Sequence, residues 1–258
     1  MTLSALTPSF HFVPETESTN RLAKAHAEGG ARAGCVVVAE RQTAGRGSGD
    51  RKWHSPPGGL YASILLRYAP ENPVTQFSIL AAVAIACALK DVVKPPNSIG
   101  VKWPNDCLLN GKKVAGVLCE VLPEKGFVIV GIGINVNLDA EALCPFQSNV
   151  FSATSLWLET GQNFDVKDLV YRVVAQVFDG FHQLGGEGFV GLQLKWERLC
   201  PFVGEAVSVR DRYEKECNWQ PEVIQRGVFL GIDESGAAVV STEGGMRKRI
   251  VSGEMVCC

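Results

Sequence analysis

The chain has 258 residues, 46% of them hydrophobic, enough to bury a proper core in one main domain with a small appendage. Its 25 basic and 27 acidic residues leave a formal charge of −2, so no global positive field exists to hold nucleic acid or an anionic membrane. The nine cysteines are odd in number, scattered and free of any C-x-x-C pair, which argues against a disulfide framework or a zinc cluster and for a reducing compartment.

The first twenty residues carry Glu15 and Glu17 and no apolar signal core, and Arg21 comes late, so neither a secretory nor a mitochondrial leader is expected and the location reads as cytoplasmic. Ser18 stands where an N-cap would open a short helix over 21–27. Gly34 to Glu40 (GCVVVAE) is β-branched and apolar and predicts a strand, and Gly59 to Arg67 (GLYASILLR) predicts the next. Between them lies Gly45-Arg46-Gly47-Ser48-Gly49-Asp50-Arg51-Lys52-Trp53, whose alternating glycines let backbone N–H groups approach an anion while Arg46, Arg51 and Lys52 supply positive charge.

Asn72-Pro73 reads as an N-cap and first-turn proline for a helix from Val74 to Val93, ended by Pro95-Pro96. Its apolar run, Ile79 to Leu89, is about half of a bilayer span and predicts a buried helix. Ile99 to Lys102 is a short strand, Asn110-Gly111 a hairpin turn between Cys107–Leu109 and Lys112–Glu120, and Phe127 to Gly133 another strand, so the sheet should be largely antiparallel. Asp165 should cap an amphipathic helix over Val166–Leu184, followed by a helix around Phe189–Leu199 that Pro201 closes. Glu205–Arg210, Val223–Ile232, Ala237–Thr242 and Arg247–Ser252 then read as the short strands of a small β-barrel, with the boundary near Cys200.

The block Lys102-Trp103-Pro104-Asn105-Asp106, read with Lys112-Lys113, sets a carboxylate beside lysines able to neutralise phosphate charge, and with the anion loop it suggests activation of a carboxylate by a nucleotide. A dinucleotide fingerprint in VIVGIGINVN fails because Val136 occupies the third glycine position. No P-loop, H-E-x-x-H or G-x-S-x-G occurs, and His11, His26, His54 and His182 show no ligand spacing along the chain.

In order, G-R-G-x₃-R-K-W, V-K-W-P-N-D, the Asn-Gly hairpin, K-K-V-A-G and G-I-G-I-N-V-N resemble the catalytic module of biotin protein ligases, and nearly the whole chain takes part. The resemblance implies an α/β (α+β) catalytic domain of the class II aminoacyl-tRNA synthetase/biotin ligase type over residues 1–200, with a mixed, largely antiparallel sheet. It also implies a small C-terminal Src-homology-type β-barrel over 201–258. The implied type is monofunctional, without an N-terminal DNA-binding domain. Biotin and ATP would be the substrates, Mg²⁺ the metal, and biotin carboxyl carrier domains of biotin-dependent carboxylases the partners, with no nucleic acid or membrane and either a monomer or a homodimer.

By the same resemblance, Lys113 contacts both the biotin carboxyl and the α-phosphate, and Arg46 folds over the adenylate. Asp106 holds Mg²⁺ or receives a proton from the incoming amine. Ser18, Thr19, Asn20 and Gln42 would serve the ureido ring, with Gly45, Gly47, Ser48, Gly116 and Gly131 lining the biotin cleft. Arg51, Trp53, Asn105 and Asn135 would face the nucleotide, Trp53 covering either adenine or the valeryl chain. Family members often carry arginine directly after G-R-G, where this chain has Ser48, so weaker retention of the adenylate is expected unless Arg51 or Lys52 replaces the charge. A lipoate ligase, which shares the chemistry, and a non-catalytic biotin-responsive binding protein are the competing readings.

Overall fold

A computed structural model describes residues 6–49, 51–143, 152–211 and 223–257. The chain runs β1 (Ser9–Thr16), α1 (Thr19–Glu28), β2 (Cys35–Gln42), β3 (Leu60–Arg67), α2 (Val74–Val92), β4 (Ile99–Lys102), β5 (Asp106–Leu109), β6 (Lys112–Leu122) and β7 (Phe127–Ile134). These strands form one seven-stranded sheet in the order β1-β2-β3-β7-β6-β5-β4. The β1–β2 pair is parallel and every other neighbouring pair antiparallel, which makes the sheet mixed and largely antiparallel.

Both faces of the central strands are covered, which is why β2, β3 and β7 read as continuous apolar runs rather than alternating ones. Cys35, Val37, Leu65 and Ile129 pack with Ala23 and Ala27 of α1 on one face. Their neighbours Val36, Val38, Ile64 and Val130 belong to the main core on the other. That core is built on α2, buried on nearly all sides, as expected of a helix without a polar face. Its length and composition would suffice to cross a membrane, yet 67% of its most apolar window is buried inside the protein. Pro73, with extended ψ of 134°, occupies the N-cap itself, so the cap falls one residue later than the Asn72 expected from the sequence.

The Asn110-Gly111 turn joins β5 to β6 with φ of 52° and 77°, the left-handed pair that a two-residue hairpin demands. After β7 come α3 (Ala140–Leu143), α4 (Leu156–Thr160), α5 (Val166–Glu187) and α6 (Val190–Leu199). Asp165 caps α5 by accepting from the backbone N–H groups of Lys167 and Asp168. The apolar stripe from Leu169 to Phe181 lies in the core against α2, so burial follows the 3.6-residue period read from the sequence.

A second, antiparallel sheet comprises β8 (Ala206–Arg210), β9 (Val223–Ile232), β10 (Ala238–Ser241), β11 (Arg247–Ile250) and β12 (Glu254–Cys257), in the order β11-β10-β9-β8-β12. It is fastened to the first unit rather than tethered by a linker. Trp196 of α6 meets Phe229 of β9 edge-on at 6.2 Å, and the buried Trp103 indole N–H donates to the Gly236 carbonyl at 3.0 Å. Gln76 of α2 donates to the Glu234 carbonyl at 2.8 Å.

Glu159 of α4 holds this helix to the β5–β6 hairpin. Burial alone would raise its carboxyl, but hydrogen bonds from Thr154, Lys112 and Asn110 outweigh it and hold the group below the ordinary carboxylate range. A depressed folded-state value contributes stability that is complete above the unfolded value and lost as pH falls through the folded one. Acid titration of the fold should therefore show a shallower loss of stability below roughly pH 4.3 in Glu159→Gln than in the parent. Equal slopes in the two chains would contradict the assignment.

Candidate active site

The segment between β2 and β3 folds back on itself. Gly47 donates to the Arg51 carbonyl at 2.7 Å, Trp53 donates to the Gly45 carbonyl at 2.9 Å, and Arg46 pairs with Lys52 as an isolated antiparallel bridge. A Cβ on Gly45 would stand 2.2 Å from the Trp53 carbonyl oxygen, so only glycine permits this closure. Gly45 is buried at this closure, beneath the residues that line the cavity.

The loop closes over a cavity of about 320 Å³ on the sheet, at the ends of β5, β6 and β7. Every other expected site residue lines it. Ser18, Thr19 and Asn20 come from the start of α1, Gln42 from the end of β2, and Arg46, Gly47, Ser48, Arg51 and Trp53 from the loop. Asn105 and Asp106 enter from the β4–β5 turn, Lys113 and Gly116 from β6, and Gly131 and Asn135 from β7 and its end. Glu254 of β12 brings the second sheet into the same wall.

At one end lies a charged cluster. The Lys113 ammonium sits 2.6 Å from Asp106 Oδ1 and 5.5 Å from the centre of the Trp53 ring. Lys102, 1% exposed, sets its ammonium 3.5 Å from Asp106 Oδ2 and 3.8 Å from Glu254 Oε1. Burial lowers the Lys102 ammonium below its ordinary value despite the upward pull of Asp106 and Glu254. Both Asp106 oxygens thus face cations, which fits a carboxylate that positions lysines and does not fit one reserved for Mg²⁺. The Arg51 guanidinium pairs with Glu254 Oε2 at 2.9 Å and donates to Ser48 Oγ at 2.7 Å, which sets a guanidinium directly beside Ser48.

The other end is a polar chain. Gln42 Oε1 accepts from the Thr19 backbone N–H at 2.8 Å and its hydroxyl at 3.1 Å. Ser63 Oγ lies 2.8 Å from Thr19 Oγ1 and donates to Asn20 Oδ1 at 2.6 Å. Asn20 in turn donates to Glu120 Oε2 at 2.6 Å, and Glu120 Oε1 accepts from Arg46 at 2.9 Å. Ser18 is the N-cap residue of α1 by position, but its hydroxyl makes no capping bond and lines the cavity instead. Asn135, 1% exposed, donates to the Thr154 carbonyl and keeps a buried amide oxygen at the wall without a protein hydrogen bond.

Glycine shapes the floor. A Cβ on Gly133 would meet the Trp53 ring at 2.6 Å, and one on Gly131 would meet Asn20 Oδ1 at 2.2 Å. The sequence reading missed Glu254 in the wall, and Ser63 and Glu120 as hydrogen-bond partners of the residues that line it. The signal for Ser63 was present, a small hydroxyl side chain within an apolar strand, since a buried polar group needs partners. Glu254 carried none, because its place depends on β12 pairing with β8.

Residues 12–137 match the biotin/lipoate A/B protein ligase family, and residues 220–257 match the biotin protein ligase C-terminal domain. A biotin–[acetyl-CoA-carboxylase] ligase of Paracoccus denitrificans is 33% identical over 234 residues, 87% of this chain and 91% of that one. The chain belongs to the biotin protein ligase family. Another relative among these ligases, the bifunctional ligase/repressor BirA of Bacillus subtilis, is 33% identical over 90% of this chain and 69% of its own length. The Aquifex aeolicus biotin protein ligase, solved in complex with biotin and ATP, superposes with a TM-score of 0.77 at 31% identity, covering 96% of this chain and 97% of that one.

Proposed function

We propose that the protein is an ATP-dependent biotin–protein ligase, which joins biotin and ATP into biotinyl-5′-AMP and pyrophosphate and then biotinylates a lysine of a biotin carboxyl carrier domain. The observation that carries this reading is the convergence of Arg46 and Lys113, from separate stretches of the chain, on one cavity that Ser18, Thr19, Asn20 and Gln42 also line. In the first step a biotin carboxylate oxygen bonds to the α-phosphorus as the bond to pyrophosphate breaks. Two anions must meet, and Lys113 lies where it can neutralise both. In the second step the carrier amine attacks the acyl carbon, AMP leaves with its oxygen, and the amine releases a proton.

Arg46 now answers Glu120 and is half exposed, so an incoming adenylate would draw the guanidinium from one anion to another. Ser18, Thr19, Asn20 and Gln42, which line the cavity, offer the donors and acceptors that a cyclic urea requires. Mg²⁺ belongs to this reading as the counterion of the triphosphate, with no step assigned to it. The second sheet is proposed to close as a small barrel of the Src-homology type, the catalytic unit to be of the class II synthetase type, and the location to be cytoplasmic.

The test is mass spectrometry of a purified carrier domain incubated with this protein, ATP, Mg²⁺ and biotin, with one added biotinyl group expected. Lipoate in place of biotin should leave the carrier unmodified, and the opposite preference would overturn the substrate assignment. Gly131→Ala should push Asn20 aside, with the KM for biotin rising by roughly tenfold for each 1.4 kcal/mol of lost contact, while the KM for ATP changes little. Ser48→Arg should reduce the leakage of free biotinyl-AMP in a trapping assay. Unchanged leakage would mean that Arg51 already supplies the retaining charge.

A further inference from the structure

On the opposite end of α1 from the cavity, the fold assembles a second group of chemistry-bearing side chains. His11 of β1 and Cys35 of β2 lie on the same face of the parallel pair, since Cys35 registers with Ser9, two residues before His11. α1 crosses that face and presents His26 in its last turn. One ligand-capable atom from each of His11, His26 and Cys35 lies within 4.8 Å of the others. They border a surface hollow, with Cys35 at its buried floor, His26 half-buried and His11 exposed at the rim.

We propose that His11, His26 and Cys35 form a binding site for a divalent transition metal of the zinc type, with three protein ligands and one position open to solvent. Two imidazoles and a thiolate are the donors that zinc and cobalt(II) favour over magnesium or calcium. Zinc holds such donors at about 2.0–2.3 Å, which sets neighbouring donor atoms about 3.3–3.8 Å apart in a tetrahedron. The cluster must therefore contract by at most about 1.5 Å, a change within reach of side-chain rotation at the exposed His11 and half-buried His26. The Ser9 hydroxyl, 3.5 Å from His11 Nε2, is placed to orient this ring. Burial raises the Cys35 thiol, so without a metal it stays a neutral thiol, and a divalent cation supplies the charge that would deprotonate it. Once bound, the metal would staple the C-terminal turn of α1 to β1 and β2, the two elements whose other ends carry Ser18, Thr19, Asn20 and Gln42 into the cavity. The inference does not rest on the ligase reading.

The test titrates the full chain, carrying Cys257→Ser and Cys258→Ser to remove the terminal thiol pair, with Co²⁺ as a probe for zinc. One equivalent per chain should bind with a sulfur-to-cobalt charge-transfer band, Zn²⁺ should displace it, and Zn²⁺ should raise the melting temperature. Cys35→Ser should abolish the band and the thermal shift, and His11→Asn or His26→Asn should weaken Co²⁺ binding roughly tenfold or more. His11→Asn, at an exposed position, keeps the test valid should Cys35→Ser fail to fold. No band in the parent, a band that survives Cys35→Ser, or Co²⁺ affinity equal to the parent's in both histidine variants would overturn the proposal.

Discussion

Lys113→Ala should slow biotinyl-AMP formation by roughly 10²–10³-fold, the usual consequence of removing one preorganised charge from a developing oxyanion. The side chain is held from two directions, by Asp106 at 2.6 Å and by the Trp53 ring at 5.5 Å, so the ammonium is aimed before any ligand arrives. Its backbone is fixed as well, because Lys113 donates to the Ser152 carbonyl and accepts from the Thr154 N–H, pinning the start of β6 to the chain ahead of α4. Biotin-dependent exchange of pyrophosphate into ATP measures the first step alone, and there kcat should fall far more than the KM for biotin rises. Lys112→Ala provides the control. Its side chain is half exposed and turned to Glu159, so exchange should stay near that of the parent. Equal losses in the two variants would remove Lys113 from the chemistry.

Asp106→Ala should destabilise the fold by on the order of 3–5 kcal/mol, the cost of leaving a buried charge after its partner is removed. Asp106 is 5% exposed and is the nearer of the two carboxylates facing Lys102, which is itself 1% exposed. Burial already depresses the Lys102 ammonium, and losing Asp106 would depress it further. A folded-state value below the unfolded one makes the protonated lysine a liability at neutral pH, relieved only as pH rises from the folded toward the unfolded value. Urea denaturation at neutral pH should show the loss, and raising the pH should recover part of it. The double variant Lys102→Met with Asp106→Leu removes both charges and should regain most of the stability while staying inactive, since Lys113 has lost the group that aims it. A double variant as unstable as Asp106→Ala would show that the pair is not what holds this corner together.

Much of the sheet was legible because its signals are local. The β-branched runs of β2 and β7, the Asn-Gly turn with its positive φ angles, and the Asp165 cap of α5 each follow from a few consecutive residues. β1 escaped because Pro14 interrupts its pattern, which the parallel edge tolerates by leaving that position out of the register. β12 is four residues long, and only its pairing with β8 makes it a strand.

The site divides along the same line. Short motifs named Arg46, Asn105, Asp106 and Lys113, because glycine spacing and a charged turn are properties of neighbouring residues. Glu120 and Glu254 answer Arg46 and Arg51 across 74 and 203 positions, and no local pattern could announce them. The same holds for His11, His26 and Cys35, which have no ligand spacing along the chain and meet only because β1 and β2 run parallel beneath α1. By itself, then, the sequence determined the chemistry available and the elements that carry it, since composition, turn residues and hydrophobic period act over a few residues. Tertiary structure alone decided which charges face each other and how deeply, because register and packing set the distances and the loss of water on which electrostatic strength depends.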